Sequence, residues 1–238
     1  MSPIDEHGSL WTLDAAAQKW NLLPAASGSS VPEARSFHAM TSNGKDTLYV
    51  HAGCPASGRL SDLWEFNVGS KVWKQLASAP EPARGGTSIA FGDGKLYRFG
   101  GFDGKTEQGG SVDIYSPETN SWTSKAFSPD GKSGPGARSV AAFLPVTIPE
   151  KGEVLVSLFG ESDPSSLGHQ GAGKMLSDVW AYEVETDKWA QLSFGDGPQG
   201  RGWFDADVIQ LDGNDAIVVS GGLGEDNERL DDLWVLQF

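Results

Sequence analysis

Four times along this chain an Arg precedes an apolar strand, a short glycine-rich step and an aromatic hairpin. Arg35, Arg84, Arg138 and Arg201 open the copies, within A-R-S, A-R-G, A-R-S and G-R-G. Each copy then passes through AG (Ala52-Gly53), GG (Gly100-Gly101), GE (Gly160-Glu161) or GG (Gly221-Gly222). It runs on into SDLWEF, SVDIYS, SDVWAY or DDLWVL. A unit of this size is a single small sheet that cannot bury both faces alone, so the copies must stack around a common axis. Repetition also makes exceptions visible, because each position can be compared with its three counterparts.

The spacing supports the register. Trp11 and Trp20 are nine residues apart, as are Trp64 and Trp73, and Trp180 and Trp189. Phe66–Trp73 and Tyr115–Trp122 are each seven apart. From the Arg to the second Trp is 38 residues for Arg35–Trp73 and Arg84–Trp122, but 51 for Arg138–Trp189, so the third full copy carries an insertion. Each copy reads as four short strands. The first follows the Arg (SFHAM, TSIAF, SVAAFL, FDADVIQL), and the second is the apolar run before the glycines. The last two form a hairpin through turn-rich NVGSK, PETN or ETDK. The 31 Gly and nine Trp suit this pattern, Gly supplying positive φ at tight turns and aromatic rings filling flat interlayers.

The order of Arg, glycine step and spaced aromatics resembles the kelch repeat, and the resemblance covers nearly the whole chain. It implies an all-β, kelch-type β-propeller of about five blades whose first and last are incomplete. The chain is read as one domain, with a half blade over 1–30, blades over 31–80, 81–130 and 131–197, and an incomplete blade over 198–238. The opening segment SLWTLDAAAQKWNLL matches the last two strands of a blade, while DDLWVLQF is a third strand with no fourth after it. Both ends therefore supply a third strand, and a strand-swapped seam does not follow. Five blades with an imperfect seam and a shortened version of a longer propeller both fit.

Charge narrows the partners. A formal net charge of −14 argues against a nucleic-acid backbone or an anionic membrane. The single Cys, Cys54, excludes an internal disulfide framework and fits a reducing compartment. MSPIDEHGSL has neither the basic nor the apolar region of a signal peptide, so a cytoplasmic location is expected. The segment GHQGAGK approaches a phosphate-binding loop but is followed by Met175 and a strand, without the helix N-terminus that such loops need.

The largest exception lies in the third full copy, LFGESDPSSLGHQGAGKMLSDVWAY. Glu161 falls where the aligned copies have Gly, heading a polar insertion with Asp163 and His169. Two carboxylates and an imidazole suit a divalent ion such as Fe(II), Mn(II) or Zn(II), and the lack of thiolates argues against a closed structural zinc site. Asp163-Pro164-Ser165-Ser166 is also ordinary turn chemistry. The stretch further resembles the iron-dependent specifier proteins of glucosinolate breakdown, the nitrile-, epithio- and thiocyanate-forming kelch proteins. These carry an E-x-x-x-D-x-x-x-H loop followed by G-x-G. Glu161 and His169 have that spacing and Gly171-Ala172-Gly173 follows, but the middle Asp position holds Ser165 and the nearest Asp is Asp163.

The resemblance implies Fe(II) held by Glu161, Asp163 and His169. It also implies a small anionic sulfur-containing substrate, a thiohydroximate O-sulfate, cradled by the ring of Arg35, Arg84, Arg138 and Arg201. Two alternatives stand beside this. The same Arg residues can be structural ties, and the propeller can be a scaffold that binds an acidic segment of another protein through its Arg ring.

Overall fold

The computed structural model describes residues 3–149, 151–167 and 171–238, and the chain is an all-β propeller with no helix among those residues. A hairpin of β1 (Leu10–Asp14) and β2 (Lys19–Leu23) comes first. Two four-stranded antiparallel blades follow. One is β3 (Ala39–Ser42), β4 (Thr47–Gly53), β5 (Leu60–Asn67) and β6 (Val72–Leu76); the other is β7 (Ser88–Gly92), β8 (Lys95–Phe99), β9 (Ser111–Ser116) and β10 (Ser121–Ala126).

The third blade pairs β11 (Ala142–Ile148), β12 (Gly152–Leu158), β15 (Val179–Glu183) and β16 (Lys188–Leu192). Its insertion forms a separate short ladder of β13 (Glu161–Ser162) and β14 (Lys174–Met175). The last sheet has three strands, β17 (Asp205–Leu211), β18 (Asn214–Leu223) and β19 (Arg229–Gln237).

The pleat decides which blade each aromatic meets. Alternate residues of β5 point to opposite faces. Trp64 and Phe66 join Trp73 and Val50 against Leu10 and Leu23 of the preceding hairpin. Leu63, with Tyr49 and Leu76, packs on Ile89, Leu96 and Tyr115 of the next blade. Further round, Tyr97 and Phe99 meet Phe143, Trp180, Tyr182 and Trp189. Val154, Val156 and Val179 meet Ile217 and Val219. Burying each such side chain contributes about 1.5–3 kcal/mol. The counterparts of Trp64 and Trp73 in the first hairpin, Trp11 and Trp20, are 56% and 61% exposed, and Leu233 of β19 is 65% exposed.

A polar triad recurs in three blades. Arg35 donates from Nη1 and Nη2 to Asp62 at 2.5 and 2.8 Å, and Trp64 Nε1 donates to the same carboxylate at 2.7 Å. Arg138, Asp178 and Trp180 repeat this at 2.8, 2.9 and 2.6 Å. Arg201, Asp232 and Trp234 do so at 2.6, 2.9 and 2.7 Å. The hydrogen bond from Arg201 holds the Asp232 carboxyl well below the usual carboxylate range. In the second blade Ser111 and Asp113 replace the Asp and Trp. Asp113 instead receives Arg98 Nε and Nη2 at 2.9 and 2.6 Å, a pair with both members buried.

Arg84, Arg138 and Arg201 tie neighbouring blades through their backbone. Gly53 N–H donates to Arg84 C=O, Gly101 to Arg138 and Gly160 to Arg201, at 3.0, 2.8 and 2.9 Å. Gly53, Gly101, Gly160 and Gly222 share φ of 104–116°, and Ala52, Gly100, Phe159 and Gly221 precede them at φ of 54–68°. This corrects the sequence alignment by one residue. The glycine step of the third blade is Phe159-Gly160, not Gly160-Glu161, because Phe159 adopts the left-handed conformation that Gly100 and Gly221 adopt elsewhere. Glu161 is therefore the counterpart of Cys54, Phe102 and Leu223, which bridge the residue after each Arg just as Glu161 bridges Ser139.

Removing the carboxylate from a triad leaves a buried guanidinium uncompensated. Asp178→Ala is expected to destabilise the fold by about 3–5 kcal/mol, read as a lower urea midpoint with an unchanged m-value.

Candidate functional site

The residues two places after each Arg meet around the axis. Gly86 N–H donates to Phe37 C=O, Val140 to Gly86 and Trp203 to Val140, at 2.9, 2.8 and 3.2 Å. All four have φ between 46° and 59°, which strains the three non-glycine members and persists only because the ring of contacts holds them. The Phe37 and Trp203 rings come edge to face at 5.4 Å, so the first four-stranded blade and the last sheet approach each other here.

Above this ring opens a cavity of about 420 Å³. Its floor is Phe37, Gly86, Val140 and Trp203. The wall carries Cys54, Phe102 and Glu161, three of the four equivalent bridging positions. The loops that leave these positions add Arg59 from the first blade, Lys105 and Glu107 from the second, and Pro164, Ser165 and Ser166 from the third. The same loop of three successive blades thus supplies a guanidinium, a carboxyl and the polar insertion to one space.

Glu161 is 6% exposed, and its Oε1 accepts the Gly173 N–H at 2.6 Å. Ser139 joins it to a second acid: Ser139 exchanges backbone hydrogen bonds with Glu161 at 2.9 Å, and its Oγ donates to Glu107 Oε1 at 3.2 Å. Glu107 Oε2 is buried without a hydrogen-bond partner. Burial pushes the Glu107 carboxyl up to about 8, and the Glu161 charge adds to the rise against the Ser139 hydrogen bond. Opposite, the Arg59 guanidinium lies over the Phe102 ring at 6.0 Å, with Nη1 bonded to Gly58 C=O and Nε buried without a partner. Burial raises the Cys54 thiol, opposed by the nearby Arg59 charge, so a neutral thiol faces the cavity.

The structure distributes the expected site residues unevenly. Glu161 lies in the cavity wall. Asp163 is exposed, at φ 49°, and is not among the lining residues. His169 lies outside the described residues. Among the described residues no group of three or more His, Cys, Asp and Glu converges to share an ion.

The four repeat Arg residues do not line the cavity. Arg84, Arg138 and Arg201 are 5%, 1% and 0% exposed and the Arg35 side chain 4%; all four donate to carbonyls within their own blades, and Arg35, Arg138 and Arg201 also donate to the triad carboxylates. Their geometry matches the structural alternative, with the side chain bracing its own blade and the backbone carbonyl linking to the one before. Sequence reasoning missed Arg59, Glu107 and Phe37. Comparing what each blade's post-glycine loop carries would have found the first two.

Comparison with known proteins agrees with the fold. The family model described as the KLHDC2/KLHL20/DRC7 Kelch-repeats domain matches residues 4–147. An N-(sulfonatooxy)prop-2-enimidothioate sulfolyase of Thlaspi arvense is 27% identical, over 96% of this chain and 70% of that protein. The host cell factor homolog hcf-1 of Caenorhabditis elegans is 25% identical over 92% of this chain, and the kelch-like protein terF of Aspergillus terreus 24% identical over 73%. This chain spans only 28% and 37% of those two relatives' lengths.

The Glu107 carboxyl makes stability depend on pH with a defined sign. Its value is raised in the folded state from 4.5 to about 8, so its contribution is fully present below about 4.5 and is lost as pH rises towards 8. Wild-type thermal stability is expected to fall across that window relative to Glu107→Gln, by a slope of up to one proton; superimposable profiles would refute the raised value. With an all-β propeller built from the Arg-anchored repeat and a matching family model over most of its length, this chain belongs to the kelch-repeat family.

Proposed function

We propose that the protein is specifier-like: it binds a thiohydroximate O-sulfate or similar anionic sulfur compound in the axial cavity and, with Fe(II), directs its breakdown towards nitrile-type products. The observation that carries the reading is the cavity's composition. A buried Glu161 replaces the Cys, Phe and Leu of the other blades, facing a space that also holds Arg59 and an aromatic floor. The relative from Thlaspi arvense, named for sulfolysis of an N-(sulfonatooxy) imidothioate, supports the substrate class.

The donor chemistry fits a hard divalent ion. Glu161 and Glu107 crowd carboxyl groups around Ser139, and one buried oxygen, Glu107 Oε2, has no hydrogen-bond partner. A divalent cation relieves that crowding. In this reading Glu161, with Asp163 and His169 of the insertion, would hold Fe(II), which would supply Lewis-acid chemistry at the substrate sulfur.

The chain's own groups do the rest. Arg59 holds the sulfate through charge-assisted hydrogen bonds. Phe37, Phe102 and Trp203 cover the substrate's organic group and keep water away from it. Without the metal, burial raises the Glu107 carboxyl to about 8, so that it places a hydrogen-bond donor rather than a second charge in the wall. The fragmentation balances without a further reagent: the N–O bond breaks with its pair leaving on sulfate. The C–S pair becomes the third C–N bond, and sulfur departs as a neutral atom.

A second reading, a protein-binding platform, is favoured by the exposed outer face of the first hairpin, with Trp11, Leu13, Trp20 and Leu22 about half exposed or more. It uses a different surface from the cavity, since the Arg ring expected to hold an acidic partner is buried.

Anaerobic Fe(II) titration separates the two. Near-stoichiometric binding is expected in the wild type and its loss in Glu161→Gln. Arg59→Ala is expected to keep the metal and raise KM for a thiohydroximate O-sulfate by about 10–100-fold. A folded wild type that binds no Fe(II) would overturn the specifier reading.

A further inference from the structure

The second blade breaks the rule that the other three obey, and the break leaves a cation without its usual partner. Arg35, Arg138 and Arg201 each make four kinds of bond. Nε donates to the carbonyl two residues back, Nη1 to a carbonyl of the glycine step, and Nη1 and Nη2 to a strand Asp. Arg84 keeps the two carbonyl bonds, to Pro82 and Gly100, each at 3.1 Å. It has no carboxylate within ion-pair distance among the described residues, because Ser111 stands where Asp62, Asp178 and Asp232 stand in the other blades.

We propose that Arg84 and Ser111 form a binding site for a small carboxylate anion, which takes the place that the triad Asp fills in the other blades. The site is independent of the axial cavity and of the reading given to it.

Three observations bear on it. First, donors exceed acceptors around Arg84. Arg98, fully buried, spends Nε and Nη2 on Asp113 and Pro80 C=O while its Nη1 is buried with no partner. Asp113 is already engaged by Arg98 and by Ser124 Oγ at 2.5 Å. Second, the charges are unbalanced. Arg84 and Arg98 face a single bonded carboxylate, and the neighbouring His51 is kept neutral by burial and by the Arg98 charge. Burial and the Arg98 charge together bring Arg84 down to about 10, while Asp113, Asp103 and Glu81 act on it only from beyond bonding distance. Third, the equivalent position is open to solvent in the other blades. The triad carboxylates are 14%, 24% and 37% exposed in the other blades, and Ser111 is half-buried. The chain's net negative charge opposes an incoming anion, but remote charges are screened beyond about 8 Å at physiological ionic strength.

The test uses the full chain, acetate as the probe, and two variants at the exceptional position. Ser111→Asp supplies the carboxylate in cis, and Ser111→Asn matches its shape without the charge. At constant ionic strength, acetate is expected to raise the melting temperature of the wild type and of Ser111→Asn but not of Ser111→Asp. Ser111→Asp is expected to melt about 2–4 °C above Ser111→Asn without acetate. Carbon-13 acetate is expected to broaden with the wild type and not with Ser111→Asp. Equal acetate responses in wild type and Ser111→Asp, or a Ser111→Asp no more stable than Ser111→Asn, would overturn the proposal.

Discussion

The Arg–Asp–Trp triad is the contact from which the rest of the propeller is assembled. A buried guanidinium is costly unless its charge and its donors are met together. In three blades an Asp in or just before the third strand does both, while the Trp two residues on caps the same carboxylate. Locking the Arg side chain to its own blade also fixes the Arg backbone. Its carbonyl is then in place to accept the glycine N–H of the preceding blade. One residue type therefore braces a blade inside and couples it to its neighbour outside. That explains why the repeat begins with Arg rather than with a weaker or more flexible cation.

The cavity follows from the same geometry. Once the Arg backbone is fixed, the next two residues are committed, one bridging the position after the glycine step and the other joining the ring around the axis. Everything chemically distinctive hangs from loops that leave these points. The blades are alike where hydrogen bonds couple them and unlike just beyond. The space above the axis therefore collects different side chains from three blades: Arg59, Lys105 with Glu107, and the Glu161 insertion.

Much of the architecture was legible because a repeat checks itself. The Trp spacings, the Arg positions and the two incomplete ends could be counted, and the strands form where the counting puts them. The role of the Arg residues was not legible. Equivalence around an axis is compatible with a ring of charges facing inward or with four separate braces, and only the presence of Asp62, Asp178 and Asp232 within bonding distance decides. Register at the third blade misled for a related reason. Phe159 takes a left-handed φ that sequence assigns to glycine, so the visible Gly160 was matched to the wrong member of the step. Glu161 kept its interest through that correction, since its true counterparts are Cys54, Phe102 and Leu223.

What the sequence by itself determined is the fold, its repeat and the polar insertion of the third blade. These depend on local periodicity, turn chemistry and residue counts that act over a few tens of residues. Only the tertiary structure decided which groups share the axial cavity. Arg59 and Glu107 each follow their glycine step by six residues and Glu161 follows its own directly, but nothing in those spacings says that the three side chains face one space. They meet because hydrogen bonds between blades turn a linear repeat into a ring. Burial in that ring gives Glu107 a raised carboxyl, whereas Arg84 lacks the carboxylate its counterparts hold because its blade carries Ser111 at that position.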